Sequence, residues 1–316
     1  MKKAARTMII TGGNTGLGFE TAKVIAKSSA DWHVVIASRN QQKGEEAVRA
    51  LIQSTNNPNI SAMILDLSST TSINHFAEQF IEADVPPLYA IVCNAGAGFA
   101  KGTQETEDGV EATFGVNHLG HFLLVRLLLN QVEEQGRIII VSSDTHDPSK
   151  KTGMPSPRYT SPSILADPAA SDQFLGNLSD LSKGQLRYTT TKLCNLYFTY
   201  ELTYRIQQAK RSISTAAFNP GMMPGKGSAL TRDYKPFQRF IWNNILPMLR
   251  FVHPGIRSTR QSGKDLANLI MMDSMNSGAY WDGPKQIPSS DESYNKERAV
   301  ELWNWSSRKL GLPKDI

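Results

Sequence analysis

The chain has 316 residues, long for one α/β domain but not too long for one with insertions. With 40% hydrophobic residues, 20% charged residues and a formal net charge of +5, its composition is that of an ordinary globular protein. The Lys and Arg residues are spread along the chain rather than gathered beside aromatics, so no nucleic-acid partner is expected, and two distant cysteines, Cys93 and Cys194, offer neither a disulfide framework nor a zinc site.

Short apolar runs alternate with amphipathic stretches, the pattern of a parallel sheet covered on both faces. The basic start is followed by an apolar run of only Met8 to Ile10, which leads straight into glycines. It therefore reads as a first strand, residues 7–10, and not as a cleaved leader. A helix over 17–28 follows, then a strand over 33–38, a helix from about 42, a strand over 61–67 and a helix over 71–81. Residues 88–93 read as a fourth strand, 109–132 as one long helix, and 137–142 as a fifth strand. His118 and His121 in that helix lack a carboxylate or thiol at ligand spacing, so no metal is expected. Residues 144–184, rich in Ser, Pro, Asp and Gly, show little periodicity and read as a long excursion.

A helix over 186–208 and a strand over 213–218 come next. A second excursion covers about 222–256, and a helix over 258–272, a short strand at 279–281 and a helix over 296–310 end the chain. No internal repeat is visible, and no stretch reads as the roughly 18 apolar residues of a membrane span. The expected architecture is α/β: a doubly wound parallel sheet of the Rossmann type, a single domain with two long insertions. A cytoplasmic location is expected.

Between the first strand and helix lies Thr11-Gly12-Gly13-Asn14-Thr15-Gly16-Leu17-Gly18. Glycines at 12, 16 and 18 permit a tight turn and let a pyrophosphate approach backbone N–H groups at the helix N-terminus. At the end of the second strand an acidic residue would bind a ribose 2′-hydroxyl and repel a 2′-phosphate. The chain instead has Ser38-Arg39-Asn40, with Lys43 a turn later, so NADP(H) is expected over NAD(H).

Tyr188 and Lys192 are four residues apart, which on a helix puts both on one face, with Cβ atoms about 5–6 Å apart. A free tyrosine, with a pKa of about 10, is a poor base at neutral pH. A neighbouring ammonium is expected to lower that value, and in reduction the same phenol would protonate the forming alkoxide. Ser142-Ser143 ends the fifth strand and could supply a hydroxyl to the carbonyl oxygen.

These motifs together resemble the short-chain dehydrogenase/reductase family, in its order, from residue 11 to residue 221. TGGNTGLG is similar to its TGxxxGxG turn, Asp66-Leu67 to the acidic pair at adenine, and Asn94-Ala95-Gly96 to its NAG motif. Asn117 resembles the helix asparagine that holds a proton-relay water, and Pro220-Gly221 the turn beside the nicotinamide. The resemblance implies an active site of Asn117, Ser143, Tyr188 and Lys192, with Lys192 also bonding the nicotinamide ribose.

The long segment between Ser143 and Tyr188 resembles the branch with light-dependent protochlorophyllide oxidoreductases and retinol dehydrogenases, as do VNHLGHFLLVRLLL, TKLCN and SGAYW. Met222 and Ser38, however, stand where the protochlorophyllide enzymes carry cysteine. An ordinary carbonyl reductase or alcohol dehydrogenase is the expected function, with pigment reduction as the alternative. A non-catalytic NADP-binding redox sensor is a third reading.

The second excursion holds Phe237, Phe240, Ile241, Trp242, Ile245, Leu246 and Met248 among basic residues. That mixture suits a lid over a bulky, apolar small-molecule substrate, and equally a core helix, a peripheral membrane contact or a homo-oligomer contact.

Overall fold

The computed structural model describes residues 4–99, 101–224, 244, 246–251 and 255–316. Its first half runs β1 (Arg6–Thr11), α1 (Gly16–Ser28), β2 (Trp32–Ser38), α2 (Gln41–Thr55), β3 (Ile60–Ile64), α3 (Thr70–Glu82), β4 (Leu88–Cys93) and α4 (Ala112–Gln131). The second half runs β5 (Val132–Val141), α5 (Pro162–Ala166), α6 (Pro168–Leu175), α7 (Asp180–Gln208) and β6 (Ser214–Asn219). It closes with α8 (Thr259–Met271), β7 (Ala279–Asp282), β8 (Lys285–Ile287) and α9 (Lys296–Lys309).

The strands form one sheet in the order β3-β2-β1-β4-β5-β6-β7-β8, parallel throughout except for β8, which pairs antiparallel with β7. This is the doubly wound Rossmann arrangement expected from the alternating pattern. The order reverses between β1 and β4, where the chain leaves β1 toward one side of the sheet and later returns to the other. A crevice therefore opens at the carboxyl ends of these strands.

Successive strand residues face opposite sides, and both sides are buried. Ile9, Val35, Ile91, Ile138 and Ile140 pack with Phe76, Phe122, Phe198 and Trp303 from α3, α4, α7 and α9. Met8, Ile10, Val34, Ile36, Val92 and Ile139 pack on the other face with Ile25, Leu266 and Ile270 from α1 and α8. Full burial of each such side chain contributes roughly 1.5–3 kcal/mol, so the central strands are the rigid floor of the site.

Several boundaries differ from the sequence reading. The third strand ends at Ile64, which leaves Asp66 and Leu67 in the loop beyond it. The stretch expected as one regular helix over 109–132 begins at Ala112 and contains a π-helical segment, Gly115–Leu119. It is also apolar enough over Ala112–Gln131 to meet the length and hydropathy of a membrane span, contrary to the sequence reading, but most of it is buried inside the fold as a core helix. The fifth strand starts at Val132, not 137.

Residues 144–184 are less irregular than expected. They hold α5 and α6, each opened by a proline after Ser161 or Asp167, and α7 begins at Asp180 on its Ser179 cap. Strand β8 was not expected at all. Phe237, Phe240, Ile241, Trp242 and Ile245 lie outside the described residues, while Leu246–Phe251 forms a short 3-10 helix.

Candidate active site

The glycine turn is built from three different needs. Gly12 and Gly16 have φ of +63° and +59°, a region costly for residues with a Cβ. Gly18 is a packing glycine: a Cβ there would meet Asn94 Nδ2 and the Gly12 carbonyl at 2.7 Å each. At Gly16 the space is open, with nothing within 4 Å of the Cβ position. Thr15 caps α1 without a side-chain hydrogen bond, so the first N–H groups of that helix are left for an anion.

Asn94 fastens the turn to the end of β4. Its backbone N–H and that of Ala95 both donate to Thr11 Oγ1 at 2.9 Å, and its side-chain amide donates to the Thr11 carbonyl at 2.7 Å. Thr11 Oγ1 also pairs with His121 Nε2 at 2.9 Å. At the end of β2, Ser38 is buried, while beyond it Arg39 and Lys43 are exposed, and Arg39 has no hydrogen bond or ion pair among the described residues. Asp66 accepts from the Ser68 hydroxyl and N–H at 2.6 and 2.9 Å, which sets its loop. Open N–H groups, an exposed arginine and a carboxylate at the adenine end match the polar groups of a nicotinamide dinucleotide, so the crevice fits that cofactor.

The four residues expected to react lie around the ends of β4 and β5. A Cβ at Gly96 would sit 3.6 Å from Asn117 Oδ1 and 3.8 Å from Lys192 Nζ, so both flank that glycine. Lys192 Nζ donates to the Val141 carbonyl at 3.0 Å and lies 5.3 Å from the centre of the Tyr188 ring. Asn117 exchanges two hydrogen bonds with the Ala97 backbone and donates to Thr191 Oγ1 at 3.0 Å. Thr191 Oγ1 in turn donates to the Tyr188 carbonyl at 2.8 Å, which ties the π-helical segment of α4 to α7. π-Bulges of this kind recur at functional sites.

The two serines have separate tasks. Ser142 is buried, and its hydroxyl donates to the Lys192 carbonyl at 2.8 Å. Ser143 is partly exposed, and its hydroxyl donates to Asp144 Oδ1 at 3.0 Å and accepts the Thr145 N–H at 3.2 Å. Ser143 is thus the serine able to face a bound substrate. Tyr188 is partly exposed, and its hydroxyl makes no hydrogen bond among the described residues.

The Tyr188 pKa departs from the sequence expectation. Burial first, and the negative charge of Asp144 second, push the phenol above its ordinary range rather than below it. Lys192 Nζ lies 5.3 Å from the ring centre, and burial brings the ammonium itself down to about 8. Burial and the Asp144 charge both favour the neutral phenol.

A second tier of residues fixes these groups. Glu111, buried at the start of α4, accepts from Thr113 N and Phe114 N at 3.0 and 2.8 Å and so caps the helix that carries Asn117. Arg187, next to Tyr188, lies 3.9 Å from Glu111 and donates to Ser171 at 3.2 Å, Thr103 at 2.9 Å and Asp172 at 3.3 Å. At the end of β6, Gly221 adopts a φ of +75° and donates to Asn219 Oδ1 at 3.0 Å, while Ser262 holds the Pro220 carbonyl at 2.7 Å.

Sequence reasoning missed Thr11, Glu111, Asp144, His146, Arg187 and Thr191. Thr11 stands inside the glycine motif, and Arg187 and Thr191 inside the tyrosine motif. Glu111 gave no local signal. His118 and His121 are buried in α4, with pKa values lowered by burial to about 3 and about 4. Among the described residues no three His, Cys, Asp or Glu side chains gather as metal ligands.

Comparison with known proteins gives two family matches: residues 6–155 match the short chain dehydrogenase family, and residues 228–315 match the AcuH dehydrogenase domain. Human (Homo sapiens) WW domain-containing oxidoreductase is 33% identical over 310 residues, covering 96% of this chain and 67% of that protein. The chloroplastic protochlorophyllide reductase of Daucus carota is 33% identical over 332 residues, covering 98% of this chain and 80% of the other. An uncharacterized protein from Mycobacterium Paratuberculosis shares the fold with a TM-score of 0.70 at 24% identity, covering 99% of this chain and 96% of that one.

Proposed function

Because the chain belongs to the short-chain dehydrogenase/reductase family of oxidoreductases, we propose that it interconverts a bulky, largely apolar carbonyl compound and its alcohol with NADP(H), using Tyr188 as general acid/base. The observation that carries this reading is the partly exposed Tyr188, whose hydroxyl has no hydrogen-bond partner among the described residues, with Lys192 Nζ 5.3 Å from its ring centre and Asn117 and Lys192 both flanking Gly96.

When bound, the nicotinamide supplies or accepts the hydride. The residues of the chain do the rest. The α1 N-terminus and the open face of Gly16 receive the pyrophosphate. Arg39, with Lys43 nearby, would bind the 2′-phosphate by charge-assisted hydrogen bonds, Asp66 with Leu67 would hold the adenine, and Asn94-Ala95-Gly96 would line the crevice toward Lys192. Pro220-Gly221 supports the nicotinamide.

Ser143 donates to the substrate oxygen, which requires its hydroxyl to turn from Asp144. Tyr188, kept protonated by burial and by Asp144, gives its proton to the forming alkoxide. Lys192 would hold the ribose and steady the phenolate left behind, and by the family resemblance Asn117 would hold the water through which the proton is restored.

An apolar substrate is supported by Met222 and Met223 beyond the nicotinamide turn and by the aromatic content of residues 222–256. The buried, unpaired Cys93 and Cys194 suit a reducing, cytoplasmic setting.

The test is a panel of small polar ketones and large lipophilic aldehydes, ketones and quinones, followed by NADPH and NADH absorbance. Oxidation of NADPH by the lipophilic set is expected. Equal turnover of small polar ketones, or no turnover of any member, refutes the reading. The likeness to the Daucus carota enzyme supports a second reading, protochlorophyllide reduction, and Met222 speaks against it. Light-dependent loss of protochlorophyllide with NADPH would decide for the pigment.

A further inference from the structure

Directly after Ser143 the chain makes a 3-10 turn, Asp144–His146, and the His146 side chain folds back on it. Its Nδ1 lies 2.5 Å from the Ser143 carbonyl, and its Nε2 receives the backbone N–H of Ser290 at 3.1 Å. A backbone N–H can only donate, so Nε2 must present a lone pair. The neutral ring then carries its proton on Nδ1 and donates it to the Ser143 carbonyl. The ring is 1% exposed and packs edge-on to Tyr280, with centroids 5.0 Å apart. Burial also lowers its pKa, which keeps it neutral.

The far end of this link is anchored. Ser289 Oγ lies 2.5 Å from Tyr200 Oη and 2.6 Å from Ser293 Oγ, and Tyr197 Oη donates to Glu292 Oε1 at 2.6 Å. Tyr197 and Tyr200 belong to α7, the helix that carries Tyr188 and Lys192. The peptide of Ser143 is thereby tied to the catalytic helix through one imidazole, without using the reacting side chains.

We propose that His146 is a positioning residue: held in its Nδ1–H form by Ser290, it locks the Ser143 peptide so that the serine hydroxyl, once turned from Asp144, meets the substrate oxygen from a fixed backbone. This rests on the reading of Ser143 as the hydroxyl that meets the substrate. Freeing that peptide lets the hydroxyl drift, and misplacement on the order of 1 Å costs up to about a hundredfold in rate.

The test uses the full chain and whichever panel compound it reduces fastest. His146→Asn places an amide donor near Nδ1, His146→Gln places an acceptor near Nε2, and His146→Phe keeps ring volume only. Expected are kcat losses of roughly tenfold to a hundredfold in H146Q and H146F, with H146N closer to the parent and NADPH affinity unchanged in all three. In a Ser143→Ala background H146F should cost little more, because there is no hydroxyl left to aim.

An equal loss from H146F with and without the serine hydroxyl, or no rescue by H146N, overturns the proposal while leaving Ser143 in place. Full activity of S143A would overturn the underlying site reading instead. NMR of histidine-labelled protein gives an answer free of turnover. A proton on Nδ1 is expected for His146, and a proton on Nε2 refutes the geometry.

Discussion

Arg187→Met tests whether the first insertion is wired to the catalytic helix. Arg187 and Glu111 have side chains only 6% and 2% exposed, so little solvent screens them. Methionine keeps much of the packing volume but leaves the Glu111 carboxylate buried without its cation, with Thr113 and Phe114 as donors. Removing one partner of such a pair costs about 3–5 kcal/mol. With an unfolding entropy of about 2.1 cal/mol/K per residue, that becomes a fall of roughly 5–8 °C in Tm for this chain length.

Burial already pushes the Glu111 pKa up, and Arg187 is among the influences that push it down. Without Arg187 the folded-state pKa rises further above the unfolded value. The charged form is then the destabilising one, so the deficit should shrink as pH falls toward the raised pKa. Calorimetry over a pH series reads both effects, and Glu111→Gln in the R187M background should recover part of the loss. A Tm within about 1 °C of the parent at neutral pH, or a deficit that grows on acidification, would refute the reasoning.

Tyr188→Phe should lower kcat by about 10²–10⁴-fold, the usual worth of a general acid, with NADPH binding by fluorescence titration unchanged. Arg39→Asp should invert the preference between NADPH and NADH, read as the ratio of kcat/KM values. Each charge-assisted bond lost is worth roughly 1.5–3 kcal/mol. For Asp144→Asn the sign follows from the Tyr188 pKa, which the Asp144 charge raises. Reduction needs the protonated phenol and fails as pH rises through that pKa. Removing the charge lowers it, so the alkaline limb of the kcat profile should move to lower pH.

Much of the fold was legible because it is written locally. Alternating runs of β-branched residues mark the central strands, and the glycines of residues 11–18 meet backbone requirements no other residue meets cheaply. Ser161-Pro162 and Asp167-Pro168 were helix starts, a cap followed by proline at the first position, hidden in a stretch that resembled turns. The π-helical segment was not legible, because its side chains keep a helical apolar pattern whichever carbonyl accepts the bond.

Motif spacing suggests the tetrad but says nothing of its electrostatics. Four residues of spacing place Lys192 near Tyr188 without showing that the ammonium meets the ring face, or that burial outweighs it. The link between Arg187 and Glu111 joins distant parts of the chain and has no sequence periodicity. The same holds for His146 and Ser290.

Trp303 lies in α9 and packs against Phe122 of α4 and Phe198 of α7, with ring centroids 4.9 and 6.1 Å away. Arg126 and Arg205 each lie near its ring, and Arg126 also binds the Pro313 and Asp315 carbonyls. During synthesis, every strand of the sheet leaves the ribosome before this tryptophan does. Until it arrives, two large aromatic rings on the scaffold of the reaction centre stay uncovered, which is the exposure chaperones recognise. Translation of α9 is therefore a folding step, and a stop codon a few residues before Trp303 would damage a site whose proposed reacting groups were all made long before.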